Sequence, residues 1–128
     1  MFHLKPMANP IPPEIKGHSY ISLTTFRKTG VPVSTPVWFG EENQKMYVMS
    51  RPDSGKCKRI RNNPLVKIAP CTIRGKVTGP IFAAKARIMP EEEGKAARQT
   101  INRKYWLARV PFLWSKDNVC LEIVMTQD

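Results

Sequence analysis

The sequence predicts a mainly β protein in which six antiparallel strands, with two helices, close or nearly close into a barrel. Three observations predict it. Short runs of β-branched and aromatic residues recur between Gly- and Pro-bearing turns, the pattern of hairpins. Twelve prolines are spread over the chain, and prolines break helix interiors, which argues against a helical bundle. The chain has 128 residues, 41% of them apolar and 24% charged. That is one domain with a core of its own, needing no metal or disulfide staple. Closure is expected because it removes exposed strand edges.

The elements follow in order. Residues 19–26 (SYISLTTF) read as a strand, and Arg27-Lys28-Thr29-Gly30 as a turn with Gly30 at positive φ. Residues 31–39 (VPVSTPVWF) resume the extended pattern. Pro32 and Pro36 lie four apart, so both missing N–H groups fall on one edge, and the strand can pair fully only on its other side. A polar turn at 41–45 leads to a strand at 46–50 (MYVMS). Asp53 or Ser54 is the expected N-cap of a short basic helix over 56–63, stopped by Asn62-Asn63-Pro64. Strands are expected at 65–73 and 81–89, the latter half-exposed with charges at Lys85 and Arg87. Pro90 followed by Glu91, Glu92 and Glu93 starts a helix expected to run to about Leu107. Residues 118–125 (NVCLEIVM) are the last strand. Little before Gly17 looks able to pack, so the expected organisation is an N-terminal arm over 1–17 and a single domain over 18–128.

Charge is the unusual quantity. Twenty-one Lys and Arg against ten Asp and Glu give +11, which points to an anionic partner without choosing its class. The three cysteines, Cys57, Cys71 and Cys120, are irregularly spaced and far from His3 and His18. A zinc site and a disulfide framework are not expected; reduced thiols in a cytoplasmic protein are. No apolar run is long enough for a membrane span or a signal peptide.

Nucleophile and acid–base motifs are missing: no G-x-S-x-G occurs and neither histidine has an obvious carboxylate partner. Glu91, Glu92 and Glu93 point in different directions and suit the helix dipole. The P-loop spacing is absent. The informative stretch runs from Ser50 to Arg61, with five cations and two hydroxyls between a strand end and a helix start. Helix-start N–H groups, Ser hydroxyls and a nearby Lys suit an anion. Lys56 falls in the first turn, whereas Lys58, Arg59 and Arg61 read as a solvated face. Trp38 and Phe39, adjacent on a strand, must face opposite ways, one into the core. The aromatic run at 104–114 (KYWLARVPFLW) reads as an interface.

Several motifs stand in sequence: Thr24-Thr25-Phe26-Arg27-Lys28-Thr29-Gly30, Ser34-Thr35-Pro36-Val37-Trp38, the run from Lys56 to Pro64 (KCKRIRNNP), and Ala69-Pro70-Cys71-Thr72-Ile73-Arg74-Gly75. Together they resemble the pyridoxamine 5′-phosphate oxidase-like superfamily over residues 18–125, in particular its probable F-420-dependent branch. The resemblance implies a six-stranded antiparallel split β-barrel (the FMN-binding split barrel) with two or three helices. It also implies a homodimer whose cofactor sites lie in clefts between subunits. Carried onto this chain, it makes Lys56 a phosphate ligand with Ser50 and Ser54 beside it. Ser34, Thr35, Pro36, Val37 and Trp38 would lie along the cofactor ring, and Arg74 at the ring edge.

The implied function is an oxidoreductase that moves hydride to or from a small conjugated substrate, with no metal and no assigned catalytic residue. F-420 is favoured as cofactor, because its oligoglutamate tail suits a basic surface, and FMN is the alternative. The vitamin-B6 oxidase reaction is not expected, since no histidine follows His18. The same scarcity weakens a haem-handling reading. A different class stays open behind the enzyme: a non-catalytic cofactor-binding or nucleic-acid-binding barrel, the latter by stacking and backbone neutralisation. Neither a membrane nor nucleic acid is the expected partner.

Overall fold

The computed structural model describes residues 9–96 and 118–126. Seven strands form one antiparallel sheet. β1 (Tyr20–Phe26) turns back through 27–31 into β2 (Pro32–Trp38). Gly30, at φ 90°, holds that turn, and its amide donates to the Arg27 carbonyl at 2.7 Å. One residue later comes β3 (Gly40–Glu42), then β4 (Lys45–Ser50). Asn43 and Gln44 both have positive φ, 53° and 64°, the backbone of a two-residue hairpin turn that follows strand twist. α1 (Gly55–Asn62) is followed by β5 (Leu65–Pro70), β6 (Phe82–Ile88) and β7 (Val119–Met125). Residues 91–96 are helical; the expected continuation to Leu107 and the aromatic run at 104–114 lie outside the described residues.

The order across the sheet is β2-β1-β5-β6-β7-β4-β3. Its two outermost strands, β2 and β3, are joined by a single residue, Phe39. The sheet therefore curls round until its edges meet at that residue, which makes a barrel closed at Phe39. Beyond it β2 runs on along β1 and β4 along β7, without pairing to each other. That gap is the split.

Alternation decides which face is core. Ile21, Leu23 and Thr25 of β1, Met46 and Val48 of β4, Val66 and Ile68 of β5, Ala84 and Ala86 of β6, and Leu121 and Ile123 of β7 are buried inside. Cys57 and Ile60 of α1 join the same cluster, so α1 closes one end of the barrel. Each large side chain withdrawn from water in this way contributes about 1.5–3 kcal/mol. Outside, residues 91–96 lie on β7, where a methyl group at Gly94 would stand 3.6 Å from Cys120 Cβ. Arg87 fastens that side. Its Nε donates to Glu122 Oε1 at 2.9 Å and its guanidinium to Glu93 Oε1 at 2.7 Å.

Three expectations need correction. Among the described residues the strands number seven rather than six, because Glu41 and Glu42 of the expected turn at 41–45 belong to β3 and Lys45 to β4, leaving only Asn43 and Gln44 to turn. β5 stops at Pro70 rather than residue 73; from there the chain forms a tight loop closed by Thr72 N donating to Lys76 O and Thr78 N to Pro70 O. The arm does pack. Ile11 and Ile15 are buried in the core, and the arm is fastened by Ile11 N to Gln44 Oε1 and Gly17 N to Glu41 Oε1, both at 2.9 Å.

Candidate functional site at the split

One lip of the split is β2. Pro36 pairs with Ser22 and Pro32 with Phe26. A proline has no N–H to exchange with its partner, so residues 32, 34 and 36 turn their backbone polar groups away from β1. The Ser34 N–H and the carbonyls of 32, 34 and 36 thus face the split, and the prediction that this strand pairs on one side holds. The five residues expected to line a ring divide between two faces. Ser34, Pro36 and Trp38 point outward, opposite Thr24, Ser22 and Tyr20. Ser34 Oγ lies 2.6 Å from Thr24 Oγ1, and the Trp38 ring is tilted 55° to Tyr20 at 6.0 Å. Thr35 and Val37 point inward, opposite Leu23 and Ile21. Thr35 Oγ1 is buried and has no hydrogen-bond partner among the described residues. Phe39 takes the core position and Trp38 the outer one, as alternation requires.

The loop after β5 reaches this lip. Gly75, at φ 89°, sits over Pro36, where a methyl group on it would stand 3.5 Å from the proline Cδ. Arg74, exposed, is next to that contact.

The other lip is the end of β4 and the start of α1. β3 covers β4 only over Lys45, Met46 and Tyr47, so residues 48–50 have no strand on that side. Ser50 is buried, and its Oγ lies 2.9 Å from Ser54 Oγ. Ser54 is the N-cap: its Oγ accepts from Cys57 N at 3.3 Å and its carbonyl from Lys58 N at 3.1 Å. The amides of Gly55 and Lys56 come a step too early for any intrahelical acceptor. The first turn contains no acidic residue. Arg51 is paired to Asp53 at 3.3 Å, whereas Lys56 has no ion pair among the described residues. Two N–H groups without an intrahelical acceptor, the positive end of a helix and a first-turn lysine without an ion pair among the described residues thus share the corner. That donor set suits an oxyanion, and with the unmet Thr35 hydroxyl on the opposite lip it fits a phosphorylated polar ring compound.

Of the other cations, Lys58 and Arg61 are exposed, as expected for a solvated face. Arg59 is not on that face. Its Nε donates to Thr25 Oγ1 at 2.6 Å across to β1. The clue was a polar residue, Thr25, on the apolar face of a strand, since a buried hydroxyl needs a partner. Glu122 is a second buried polar residue the sequence reading passed over. Burial pushes its carboxyl up, but the hydrogen bonds and charge of Arg87, with Lys45 at 3.6 Å, hold it below the ordinary carboxylate range. Burial pushes the Cys71 thiol up, which keeps it protonated. Among the described residues no three His, Cys, Asp or Glu side chains group as metal ligands.

Comparison with known proteins agrees with this architecture. No curated protein matches the chain. Among solved structures, a Listeria innocua protein provisionally named a pyridoxamine 5′-phosphate oxidase superposes with a TM-score of 0.62 at 18% identity, over 86% of each chain. An F420 reductase gives 0.63 at 18% identity, covering 92% of this chain and 97% of that one. HutZ, a haem storage protein from Vibrio cholerae, gives 0.60 at 13% identity, over 88% and 85%. At these identities the likeness is one of fold. The sequence match goes beyond fold: the family model for pyridoxamine 5′-phosphate oxidase spans residues 11–117. That match spans most of the chain, and the chain belongs to the pyridoxamine 5′-phosphate oxidase family.

Proposed function

We propose that this protein is an oxidoreductase that holds a phosphorylated flavin-type cofactor across the split and transfers hydride to or from a small conjugated substrate. The observation that carries the reading is the α1 corner, where the first turn holds Lys56 and two amides without an intrahelical acceptor and contains no acidic residue. Lys56 would hold the phosphate, with Ser50 and Ser54 shaping the corner. Ser34, Thr35, Pro36, Val37 and Trp38 would lie along the ring and Arg74 at its edge. When bound, the cofactor supplies hydride chemistry; the chain's own work is to bind, orient and exclude water.

F-420 is favoured over FMN. The +11 charge suits an anionic tail, and an F420 reductase is among the proteins of the same fold. We place the protein in the cytoplasm, in keeping with three buried cysteines outside any disulfide. It acts as a homodimer through the outer side of β5 and β6, where Leu65, Lys67, Ala83 and Lys85 are exposed.

Titration with F-420 and with FMN tests the reading. F-420 binding tighter than FMN binding is expected; the reverse order assigns FMN, and binding of neither overturns the proposal. Lys56→Ala should weaken binding of the preferred cofactor by about 1.5–3 kcal/mol, the usual worth of a hydrogen bond to a charged group. An unchanged affinity would remove Lys56 from the phosphate corner.

A further inference from the structure

Arg59 does something a solvated cation does not. It leaves the outer face of α1, donates to Thr25 Oγ1 at 2.6 Å, and stretches back beside the first turn. A methyl group at residue 55 would stand 2.6 Å from its Nη1, so glycine at that position gives the guanidinium its path. The helix dipole cannot account for the placement, because a cation is favoured at the other end of a helix. Nor does a carboxylate draw it there: no ion pair involves Arg59 among the described residues. Its hydrogen-bond partner is Thr25, fully buried on the core face of β1.

The connection matters because of what each end is attached to. Thr25 is opposite Val33 on β2, next to Ser34, so it stands directly behind the ring lip. Gly55 lies between Ser54 and Lys56 and belongs to the corner lip. Apart from this bond, the core contacts of α1 are those of Cys57 and Ile60, and apolar contact is non-directional. A charged hydrogen bond fixes direction and distance.

We propose that the Arg59–Thr25 bond is a strut that sets the span between the two lips, with Arg59 and Thr25 as positioning residues for a ligand held at both ends. The inference rests on the reading that a phosphorylated ring cofactor bridges the split. Binding at one end places the other end of such a ligand at high effective concentration only if the span is right. A ligand held at the ring lip alone does not sense the span.

The test compares phosphorylated and unphosphorylated ligands: F-420 and FMN against the deazaflavin core and riboflavin. Thr25→Val removes the acceptor and keeps the cation; Gly55→Ala displaces the guanidinium from its other end. Both should weaken F-420 or FMN binding about tenfold and leave the phosphate-free compounds near their wild-type affinity. Thr25→Ser, which keeps a hydroxyl, should restore binding. Unaltered binding of the phosphorylated forms by Thr25→Val overturns the strut while the cofactor reading stands. Parallel loss of both ligand types also overturns it, since that is the mark of a generally loosened fold. A wild-type protein that binds neither F-420 nor FMN overturns the cofactor reading and the strut with it.

Discussion

Phe39 carries more of this fold than its position between two short strands suggests. It is the single residue joining the sheet's two edges, and it is fully buried. Its ring fills the place where the barrel closes, so truncation leaves a cavity at a point with no second strand pairing to hold the bend. Phe39→Ala should cost about 3–5 kcal/mol, the usual penalty for a buried aromatic, read as a lower denaturation midpoint in urea. A loss below about 1 kcal/mol would mean that pairing, not the ring, closes the barrel. Trp38, one residue earlier and outward, should tolerate Phe with little change in stability. That the two side chains face opposite ways was legible in the sequence from alternation; which of them enters the core was not. The partnership of Thr25 and Arg59 was not: the sequence shows a hydroxyl on an apolar face, but only the fold shows which of three neighbouring cations turns inward to meet it.

At the scale of elements, legibility follows how local the stabilising interaction is. α1 was read nearly to the residue because its start and stop are local: Ser54 caps it and Pro64 ends the run. The one-sided pairing of β2 was visible because proline chemistry is local too. β3 was missed because Gly40, Glu41 and Glu42 show no apolar alternation; they are extended because β4 pairs with them. The packed arm was missed for the same reason, its fastenings being side chains of Glu41 and Gln44 far along the chain. The tie between β6, β7 and the helical turn at 91–96 is likewise non-local, and it yields a pH prediction. Glu122 has a folded-state pKa below its unfolded value, so its contribution is fully present above the ordinary carboxylate range. It is lost as pH falls through the lowered folded value. Wild-type thermal stability should therefore drop below about pH 4.5 in part through Glu122. Glu122→Gln should be less stable at pH 7 by about 1.5–3 kcal/mol and show a flatter acid limb. Parallel acid limbs for the two proteins would remove Glu122 from the titration.

For the molecule as a whole, the open question of assembly becomes a matter of which surface lacks a cover. Helical residues 91–96 lie over β7, and α1 plugs the barrel end, but the outer side of β5 and β6 has neither over it among the described residues. Leu65 is 52% exposed there and Ile81, continuing the alternation of β6, is 65% exposed. Lysines 67 and 85 stand among them, so the face is apolar ground with cations on it, too polar to be a core and too apolar for an idle surface. A stable pair of subunits withdraws roughly 1,200–2,000 Å² in total, and two short strands with the neighbouring loop are a fair start on that area. A carboxylate placed at the centre of such a face must be desolvated on association, which costs far more than the contact returns. The wild type should be a dimer by light scattering, and Leu65→Asp combined with Ile81→Asp should therefore give a monomer with an unchanged far-UV spectrum, because both side chains lie outside the core. If the cofactor clefts are shared between subunits, that monomer should also bind F-420 or FMN more weakly, although neither substituted residue belongs to a lip of the split. Equal masses for the two proteins would move the interface elsewhere. A monomer with full cofactor affinity would confine the whole site to the single barrel.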